Sequence, residues 1–315
     1  MRRARRPERW HGSTSAYPPP WRRFFRASTL FPAPPDSRVA VHRSTETDCA
    51  AARLVDMERY PILDFVGGAG RALLETCRAQ IAELGACELP GFLRPEATAR
   101  MAREAEIVAP RAHRHAGKAT PYLEVPDPGW PEDHPRRLFD PFSLGAVAYD
   151  HIPADHALRV LYEWDGLLGF LSAALAVPAI HRYADPLGAC NVAVMEDGDC
   201  LEWHFDQTDF VVSLALQDAE DGGDFEVAPR VRSADDEHYD AVAEVLRGES
   251  ACVRRIPMTP GTLLLFQGRD SIHRVTPIRG ETSRLVALLS YDTKPGTCAS
   301  ELLQLARYGR TMRPT

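Results

Sequence analysis

The chain has 315 residues, 44% of them hydrophobic, and a formal net charge of −7. This apolar fraction suffices for a sizeable core, and the absence of any run of eighteen apolar residues excludes a membrane span. Seven cysteines without CxxC spacing predict free thiols in a reducing compartment, so we expect a cytoplasmic protein and exclude a disulfide framework and a clustered zinc site.

Residues 1–56 form an Arg- and Pro-rich leader, which carries 11 Arg, 5 acidic residues and 7 of the 26 prolines. Its net charge is +6, which leaves −13 on the rest of the chain. Such a composition without apolar periodicity predicts disorder. The leader could be a basic nucleic-acid arm, an organellar transit peptide or the product of a start codon assigned too early; we favour the last, because the sequence from Met57 begins like a domain. The acidic remainder argues against nucleic acid as a partner.

We expect a single domain over residues 57–315, with helical support over 57–180 and a strand-rich core over about 181–295. Apolar spacing predicts a helix over residues 70–84 that ends at Gly85. A second helix is predicted over 96–108, after a proline, and a third over 154–176. A short helix is predicted within residues 233–250. Helices beside a sheet indicate an α+β fold.

Residues 113–150 are rich in proline, aromatic and charged residues and show neither helical nor strand periodicity. Long irregular connections in compact domains are often lids or binding loops. This segment therefore either covers the active site or is a surface excursion whose aromatic residues pack down. Tyr122 and Arg136 are its candidate substrate contacts.

Residues 190–291 contain short apolar segments separated by glycine and proline turns. Cys190 and Cys200 bracket one predicted hairpin. A second hairpin is predicted from the strand at 210–216, through Gly222 and Gly223, to the strand at 225–227. Further strands are predicted at 252–256, 262–266, 272–278 and 283–291. Seven or eight such strands indicate a β-sandwich or a jelly roll.

Three side chains in this region have the chemistry of metal ligands. His204 and Asp206 are two residues apart in a strand, so both can point into one cavity while Phe205 faces the other way. His273 starts a later strand and supplies a second imidazole. The His-x-Asp pattern alone is weak, but two imidazoles and one carboxylate are the facial triad of non-haem Fe(II) sites.

In combination, these motifs resemble the iron(II)- and 2-oxoglutarate-dependent oxygenases. The matching order is His204-x-Asp206, Gly222-Gly223-x-Phe225, Pro260-Gly261, His273 and Arg284. His273 follows Asp206 by 67 residues and Arg284 follows His273 by 11, both ordinary separations for the family. The resemblance covers residues 190–294 and implies a double-stranded β-helix, that is, a jelly roll.

The resemblance implies that His204, Asp206 and His273 bind Fe(II), and that 2-oxoglutarate and O₂ serve as co-substrates. Arg284 would bind the distal carboxylate of 2-oxoglutarate through its guanidinium fork. Its apolar neighbours argue against the alternative, an arginine paired with a structural acid. Asn191 either hydrogen-bonds the same co-substrate or is a plain strand amide.

The resemblance also bears on the reaction. Halogenating members of the superfamily carry glycine or alanine at the carboxylate position, whereas this chain has Asp206, so the resemblance implies hydroxylation of an unactivated C–H bond. The run Trp203-His204-Phe205-Asp206 is similar to the branch of BesD/HalD-like amino-acid halogenases and hydroxylases, which implies a small polar metabolite as substrate. At the positions of Leu201 and Gln207, the lysine-acting members carry a polar ring and an acid. This difference argues against lysine itself as the substrate.

Substrate contacts are predicted by location only. Trp203 and Gln207 flank the ligands, where the backbone is fixed by the metal, and join Tyr122 and Arg136 as candidates. Halogenation or desaturation on the same scaffold, and a non-catalytic jelly roll that binds metal or ligand, remain alternatives. The sequence predicts a small-molecule substrate and no membrane partner, and leaves the oligomeric state open.

Overall fold

The computed structural model describes residues 46–313. Within them the helices are α1 (Glu46–Ala52), α2 (Gly68–Leu84), α3 (Pro95–Val108), α4 (Ala157–Glu163), α5 (Asp165–Ala174), α6 (Tyr239–Leu246) and α7 (Glu301–Tyr308). The strands are β1 (Ala86–Leu89), β2 (His113–Ala119), β3 (Asp140–Val147), β4 (His181–Arg182), β5 (Cys190–Met195), β6 (Leu201–His204), β7 (Val211–Gln217), β8 (Phe225–Ala228), β9 (Arg254–Ile256), β10 (Leu263–Phe266), β11 (Ile272–Val275), β12 (Arg284–Leu289) and β13 (Tyr291–Asp292).

The main sheet curls into a jelly roll with two halves. The large half has the strand order β1-β10-β7-β12-β5-β3, and the small half has the order β6-β11-β8-β9. β3 joins them, because β2 pairs along one edge of β3 while β5 and β6 pair with different stretches of its other edge. All these pairings are antiparallel. The predicted α+β jelly roll is confirmed.

Strand alternation gives the large half two different faces. On β12, Leu285, Ala287 and Leu289 join the main hydrophobic cluster with the helices. Arg284 precedes them on the opposite face and lies opposite Met195 of β5, which belongs to an inner cluster. Because successive side chains point to opposite sides of a strand, the helices cover one face and the other is left for the interior of the jelly roll.

The predicted helices over 70–84 and 96–108 are confirmed as α2 and α3. α2 buries Leu74, Cys77 and Ile81 on one stripe and ends at Gly85, whose φ of 66° is easily reached only by glycine. The short helix predicted within 233–250 is confirmed as α6.

The third predicted helix, over 154–176, is wrong in its continuity. Trp164 adopts an extended conformation with ψ of 124°, which separates α4 from α5. Its side chain is buried in the main cluster. The apolar repeat continues through the break because both helices bury residues against the same sheet, so periodicity alone could not reveal it.

The prediction of an irregular segment over 113–150 is wrong at both ends. β2 and β3 pair along their full lengths, from His113 opposite Ala146 to Ala119 opposite Asp140. Only residues 120–139, here called the β2–β3 connection, lack regular structure. β1, β2 and β3 also place three strands of the sheet within the region expected to be helical support.

Both predicted hairpins are wrong. β7 pairs with β10 and β12, whereas β8 pairs with β9 and β11. β5 and β6 likewise belong to different halves of the sheet. Gly222 and Gly223, with φ of 71° and 70°, cross between the halves instead of closing a hairpin. A Cβ on Gly222 would lie 2.0 Å from the Pro277 carbonyl oxygen, so only glycine permits this close crossing.

The predicted disordered leader is wrong for residues 46–56. Residues 46–52 form α1, and Ala51 and Val55 are fully buried in the main cluster. Val55 also forms a β-bridge with Leu93. The apolar residues Ala51, Leu54 and Val55 pack against the core. The prediction missed them because it was based on the average composition of the whole leader, which is basic and rich in proline. The domain therefore begins before Met57, and residues 1–45 lie outside the described part of the chain.

Candidate metal centre

His204 ends β6 and faces the interior because the strand is irregular. Val275 of β11 pairs with Leu201, and His273 pairs with His204, so Glu202 and Trp203 on β6 lie opposite Arg274 alone on β11. This bulge places both Leu201 and His204 on the inner side. Phe205 turns the other way and is fully buried against Tyr122, with ring centroids 5.2 Å apart.

His273 lies directly opposite His204 across the β6–β11 ladder. The two imidazole centroids are 4.2 Å apart, and His273 Nε2 lies 3.6 Å from Asp206 Oδ2. One ligand atom from each of the three side chains lies within 4.8 Å of the other two. The structure therefore brings together the three residues that the sequence singled out, in a group that could hold one metal ion.

Backbone carbonyls orient both imidazoles. His204 Nδ1 donates to the Glu202 carbonyl oxygen at 2.8 Å, and His273 Nδ1 donates to the Ser271 carbonyl oxygen at 3.0 Å. Since a carbonyl oxygen only accepts, each Nδ1 carries the proton and each Nε2 offers a lone pair. Histidines that bind a metal through one ring nitrogen are commonly oriented in this way, by a hydrogen bond from the other ring nitrogen.

Asp206 is positioned by its own backbone, because its N–H donates to the Gly268 carbonyl oxygen at 3.0 Å. Its Oδ2 is buried and has no hydrogen-bond partner in the described chain. A buried carboxylate oxygen left unpaired is costly, so a cation is the partner that this donor set fits. The residues present therefore match a divalent metal ion.

The electrostatics of the site favour a neutral His204 imidazole. Burial, and then the neighbouring His273, lower the pKa of His204 to about 4, against an opposing effect of Asp206. Arg307 of α7 contributes to the same lowering. His204 is therefore unprotonated at neutral pH, as a metal ligand must be.

Aromatic rings line one side of His273. The Phe266 ring packs edge-on to His273 at 4.7 Å, and the Phe225 ring lies at 5.5 Å. Phe225 and Phe266 also contact each other at 5.3 Å. These rings exclude water from that side of the imidazole, which strengthens electrostatic interactions at the ligand atoms.

Arg284 lies in the interior with only 7% of its surface exposed. Among the described residues, its guanidinium makes a hydrogen bond from Nη1 to the Met195 sulfur at 3.9 Å and forms no ion pair. Burial lowers the pKa of Arg284 to about 10, against the opposing charges of Asp218 and Asp224. The guanidinium is thus a buried cation, and most of its N–H donors have no acceptor among the described residues.

A cavity of about 260 Å³ opens beside Arg284. Besides Arg284 it is lined by the segment that crosses between the sheet halves and by the strand region after β9, namely residues 218–225 and 255–259. Phe225, which lines the cavity, also contacts His273. The cavity therefore lies next to the metal ligands.

Asn191 is buried on β5, with 3% of its surface exposed, and its Oδ1 has no hydrogen-bond partner among the described residues. Its neighbours Cys190 and Val192 belong to the main cluster, whereas Ala193 and Met195 belong to an inner one. By strand alternation Asn191 faces inward, on the same side as Met195.

The β2–β3 connection holds the ligand segment by two hydrogen bonds. The Phe205 N–H donates to the Pro121 carbonyl oxygen at 2.7 Å, and Gln207 Nε2 donates to the Tyr122 carbonyl oxygen at 2.9 Å. Gln207 is exposed, but its amide is used in this contact. The two bonds bracket Asp206.

Tyr122 and Arg136 belong to an aromatic and ionic cluster that joins the β2–β3 connection to α6. Arg136 donates to Tyr239 at 2.9 Å, Glu124 at 2.5 Å and Glu237 at 3.1 Å, and lies 4.2 Å from the Tyr122 ring centre. Burial raises the pKa of Tyr122, whose hydroxyl is buried without a hydrogen-bond partner. Arg136 is therefore saturated by protein groups, which favours a structural role over substrate contact.

Trp203 packs in the buried cluster with Phe205 and Ile272, on the side of β6 away from His204. Arg274 lies over its indole ring at 4.8 Å and pairs with Glu226 at 2.7 Å. This position favours a packing role over contact with the interior. Trp203 was expected to border the cavity because it adjoins His204, but neighbouring residues of a strand point to opposite faces.

The halogenase D (HalD) family model matches residues 139–301, just over half of the chain. The chain belongs to the halogenase D family. The matched residues include all three candidate metal ligands and Arg284. No curated protein matches the sequence.

Solved structures with similar folds are 2-oxoglutarate enzymes of low sequence identity. The carbocyclase SnoK from nogalamycin biosynthesis is 14% identical, with a TM-score of 0.50 over 80% of this chain and 95% of that one. A 2OG-Fe(II) oxygenase family protein from Burkholderia pseudomallei is 17% identical (TM-score 0.45; 73% and 93% of the chains). The epimerase SnoN, in complex with Fe³⁺ and α-ketoglutarate, is 16% identical (TM-score 0.48; 73% and 93%). SnoK supports the jelly-roll fold.

Sequence reasoning missed Gly268. A Cβ at this position would lie 1.8 Å from Asp206 Oδ2, so a side chain here would displace the carboxylate. The signal in the sequence was the pair Gln267-Gly268 directly after a predicted strand, which we interpreted as a strand end only.

Every helix among the described residues is too short or too polar to cross a lipid bilayer.

Proposed function

We propose that this chain is an Fe(II)- and 2-oxoglutarate-dependent dioxygenase that hydroxylates an unactivated C–H bond of a small polar metabolite, such as a free amino acid or a natural-product precursor. The observation that carries the proposal is the convergence of His204, Asp206 and His273 on one point inside the jelly roll. Membership of the halogenase D family supports the same class of enzyme.

In this proposal, His204 Nε2, His273 Nε2 and the Asp206 carboxylate hold Fe(II) on one face. Two imidazoles and one carboxylate are the donor set of non-haem Fe(II) oxygenases, and they leave the opposite positions open. When bound, Fe(II) and the keto acid supply the O₂ activation that oxidises the C–H bond. The roles of the protein are to orient the donors through Glu202, Ser271 and Gly268, and to exclude water with Phe225 and Phe266.

Arg284 would bind the distal carboxylate of 2-oxoglutarate. The guanidinium is buried, carries its charge at neutral pH and has no ion-pair partner among the described residues, so a dicarboxylate ligand satisfies it. The adjacent cavity of about 260 Å³ gives room beside it. Asn191, with its inward and unpaired amide oxygen, would contact the same co-substrate through its Nδ2 donor.

Asp206 supports hydroxylation over halogenation. Halogenating relatives carry a small residue at this position, which leaves a place for chloride on the metal. Here the carboxylate lies 3.6 Å from His273 Nε2 and its backbone is fixed by Gly268. Halogenation is the second candidate, and the family match favours it. It would require the Asp206 carboxylate to leave the metal so that chloride could bind there.

The β2–β3 connection would support the centre from outside. Its carbonyls bracket Asp206 through Phe205 and Gln207. We assign Tyr122 and Gln207 to positioning of the ligand segment, and Arg136 to holding the β2–β3 connection against α6. In this proposal the catalytic domain begins within residues 46–56 and extends through α7, and it contains both the β2–β3 connection and the ligand segment.

The test is succinate release from 2-oxoglutarate under air with added Fe(II), together with product mass in the presence of a metabolite panel. Hydroxylation adds one oxygen atom, whereas halogenation requires chloride and adds a halogen. Absence of both turnover and uncoupled decarboxylation, with Fe(II) bound, would favour a non-catalytic binding protein.

Asp206→Gly sharpens this test. Removing one of three ligands should abolish hydroxylation and weaken Fe(II) binding at least about 10-fold, measured by calorimetry. His238→Ala is the matched control, because His238 is exposed at the start of α6 and its imidazole pairs with Asp236 at 3.5 Å, outside the metal centre. Wild-type turnover by Asp206→Gly would remove Asp206 from the ligand set.

A further inference from the structure

α7 carries its leucines on the outside. Leu302, Leu303 and Leu305 expose 79%, 50% and 51% of their surface, whereas Gln304 and Tyr308 are buried. A helix that packs on a domain ordinarily turns its apolar residues inward and its polar residues outward. In α7 this order is reversed, so an apolar face points away from the domain.

Hydrogen bonds of Gln304 fix this orientation. Its Nε2 donates to Asp185 Oδ1 at 2.9 Å, and its Oε1 accepts from the Met312 N–H at 3.0 Å. Asp185 also accepts from the Ala299 N–H at 3.0 Å, just before the helix. Turning the helix to bury its leucines would leave these groups unpaired, at a cost of about 1–3 kcal/mol for each buried group. The apolar face therefore stays in solvent unless another molecule covers it.

The end of α7 is fixed to the sheet. Tyr308 is buried with Ala146 of β3. Gly309 ends the helix with φ of 69°, and a Cβ there would lie 2.7 Å from the imidazole of His113 on β2. Glycine fits both this conformation and this contact. α7 is thus held along its length, and its outer face has a defined shape.

Large and small residues divide the outer face into two halves. Leu302 and Leu305 lie in its first half, and Ala306 and Gly309 follow each of them by four positions. Residues four apart lie on the same side of a helix. Two such helices packed antiparallel place the leucines of each copy against the small residues of the other, whereas a parallel pair would set leucine against leucine and leave a gap beyond. The face is therefore complementary to itself in the antiparallel direction.

The charges along α7 favour the same direction of packing. The first turn carries Glu301 and the last turn carries Arg307. In an antiparallel pair the acidic start of each helix lies beside the basic end of the other, and opposite ends of the two helix dipoles are adjacent. Glu301 also lies 3.5 Å from Arg313 of its own chain, but both side chains are exposed and such a surface pair contributes little. Size and charge thus both suit a second copy of this chain.

We infer that α7 is the contact surface of a homodimer, in which the α7 helices of two copies pack antiparallel about a two-fold axis. Contiguous exposed apolar residues mark interaction surfaces, and a two-fold contact requires a surface that is complementary to itself. One helix pair buries less than the roughly 1,200–2,000 Å² of a standard interface, so we expect a dissociation constant of about 10 µM. Apart from Glu301, α7 lies beyond the residues that the halogenase D model matches.

A lipid surface fits this face less well. Helices that lie on membranes are rich in Lys and Arg beside an apolar face that includes aromatic residues. The aromatic residue of α7, Tyr308, is buried against the domain, and Glu301 precedes the leucines. The whole chain carries a net charge of −7, which anionic lipid repels. A second copy is therefore the better occupant.

Sedimentation equilibrium of the full chain, from about 1 to about 200 µM, tests the inference. The wild type should pass from the mass of one chain to that of two. Leu302→Asp should weaken the association at least about 10-fold, because a buried carboxylate without a partner is costly. Ile107→Asp is the matched control, since Ile107 is an apolar residue on α3 with 71% of its surface exposed. It should leave the association unchanged.

Ala306→Leu distinguishes the antiparallel pair from a generally apolar patch. The added side chain occupies the space that a leucine of the other copy fills, so we expect association to weaken about 10-fold although the face becomes more apolar. Ala306 is partly exposed, so one copy alone accommodates the change. Circular dichroism and urea denaturation at low concentration show whether each variant keeps its fold.

A wild type that stays monomeric over this range would overturn the inference, as would association that Leu302→Asp leaves unchanged or that Ile107→Asp weakens equally. Stronger association of Ala306→Leu would overturn the antiparallel packing. Flotation with vesicles of phosphatidylcholine and phosphatidylserine, lost in Leu302→Asp, would assign the face to lipid. Succinate release at low protein concentration should be the same in Leu302→Asp and the wild type, so failure of the dimer and failure of the proposed function are read separately.

Discussion

The metal centre and the β2–β3 connection are held by different means. At the metal centre, backbone carbonyls fix the side chains of His204 and His273, and the Gly268 carbonyl accepts the Asp206 N–H. In the β2–β3 connection, side chains hold one another, with Arg136 at the middle of the cluster. Carbonyls in a strand ladder stay in place whichever side chains surround them, whereas an ion pair requires both partners. The centre should therefore tolerate loss of the cluster, but not a change in its own backbone.

Gly268→Ala should have the largest effect, because the new Cβ would meet the Asp206 carboxylate at 1.8 Å. The carboxylate must move, so we expect Fe(II) affinity and turnover to fall by at least about 100-fold. Calorimetric titration with Fe(II) under anaerobic conditions and succinate release measure the two effects.

Gly68→Ala is the control for that substitution. Gly68 begins α2, and a Cβ there meets nothing within 4 Å. It should leave metal binding unchanged. If Gly268→Ala bound Fe(II) as tightly as Gly68→Ala, the idea that the backbone sets the position of Asp206 would have to be given up.

Arg284→Met tests the other end of the interior and should come second. It removes the buried cation while keeping an apolar stem, so we expect KM for 2-oxoglutarate to rise about 10- to 100-fold, with Fe(II) binding unchanged. Arg255→Met is the control, because Arg255 lines the same cavity but is exposed and paired with Asp224. An unchanged KM in Arg284→Met would mean that 2-oxoglutarate binds elsewhere.

Arg136→Gln should have the smallest effect on chemistry and a clear effect on stability. It breaks hydrogen bonds to Tyr239, Glu124 and Glu237 and removes the nearer of the two cations over the Tyr122 ring, so we expect a loss of about 1–3 kcal/mol in the free energy of unfolding. Urea denaturation measures this loss. Fe(II) affinity should change less than 10-fold; a greater loss of metal than of stability would show that the cluster itself sets the centre.

Much of this molecule could be predicted from local sequence. The helical stripe of α2 and the proline start of α3 reflect spacing and chain stereochemistry, which act within a few residues. The metal triad and Arg284 could be found because their order and separations match a family pattern. Strand alternation then placed His204 and Asp206 on one side of Phe205.

Other features depend on partners distant in the chain. The pairing of β7 and β8 with strands of different sheet halves follows from tertiary topology, not from the glycine turn between them. The hydrogen bond from Arg136 to Glu237, 101 residues away in the chain, is likewise long-range. No periodicity in a single segment encodes such contacts, and the break at Trp164 was hidden by a continuous apolar repeat.

The joining strand β3 has a mechanical consequence. Its ladder contact with β6 is narrow, with Phe142 opposite Leu201, whereas the three ligand side chains all lie on or next to β6 and β11. Arg284 belongs to the other half of the sheet, on β12. Flexing at this seam would change the span between cation and ligands while leaving the ligands together. A dicarboxylate bound both to the metal and to Arg284 would link the two halves of the sheet. Relative motion of the two halves should therefore be smaller with metal and keto acid bound than with metal alone.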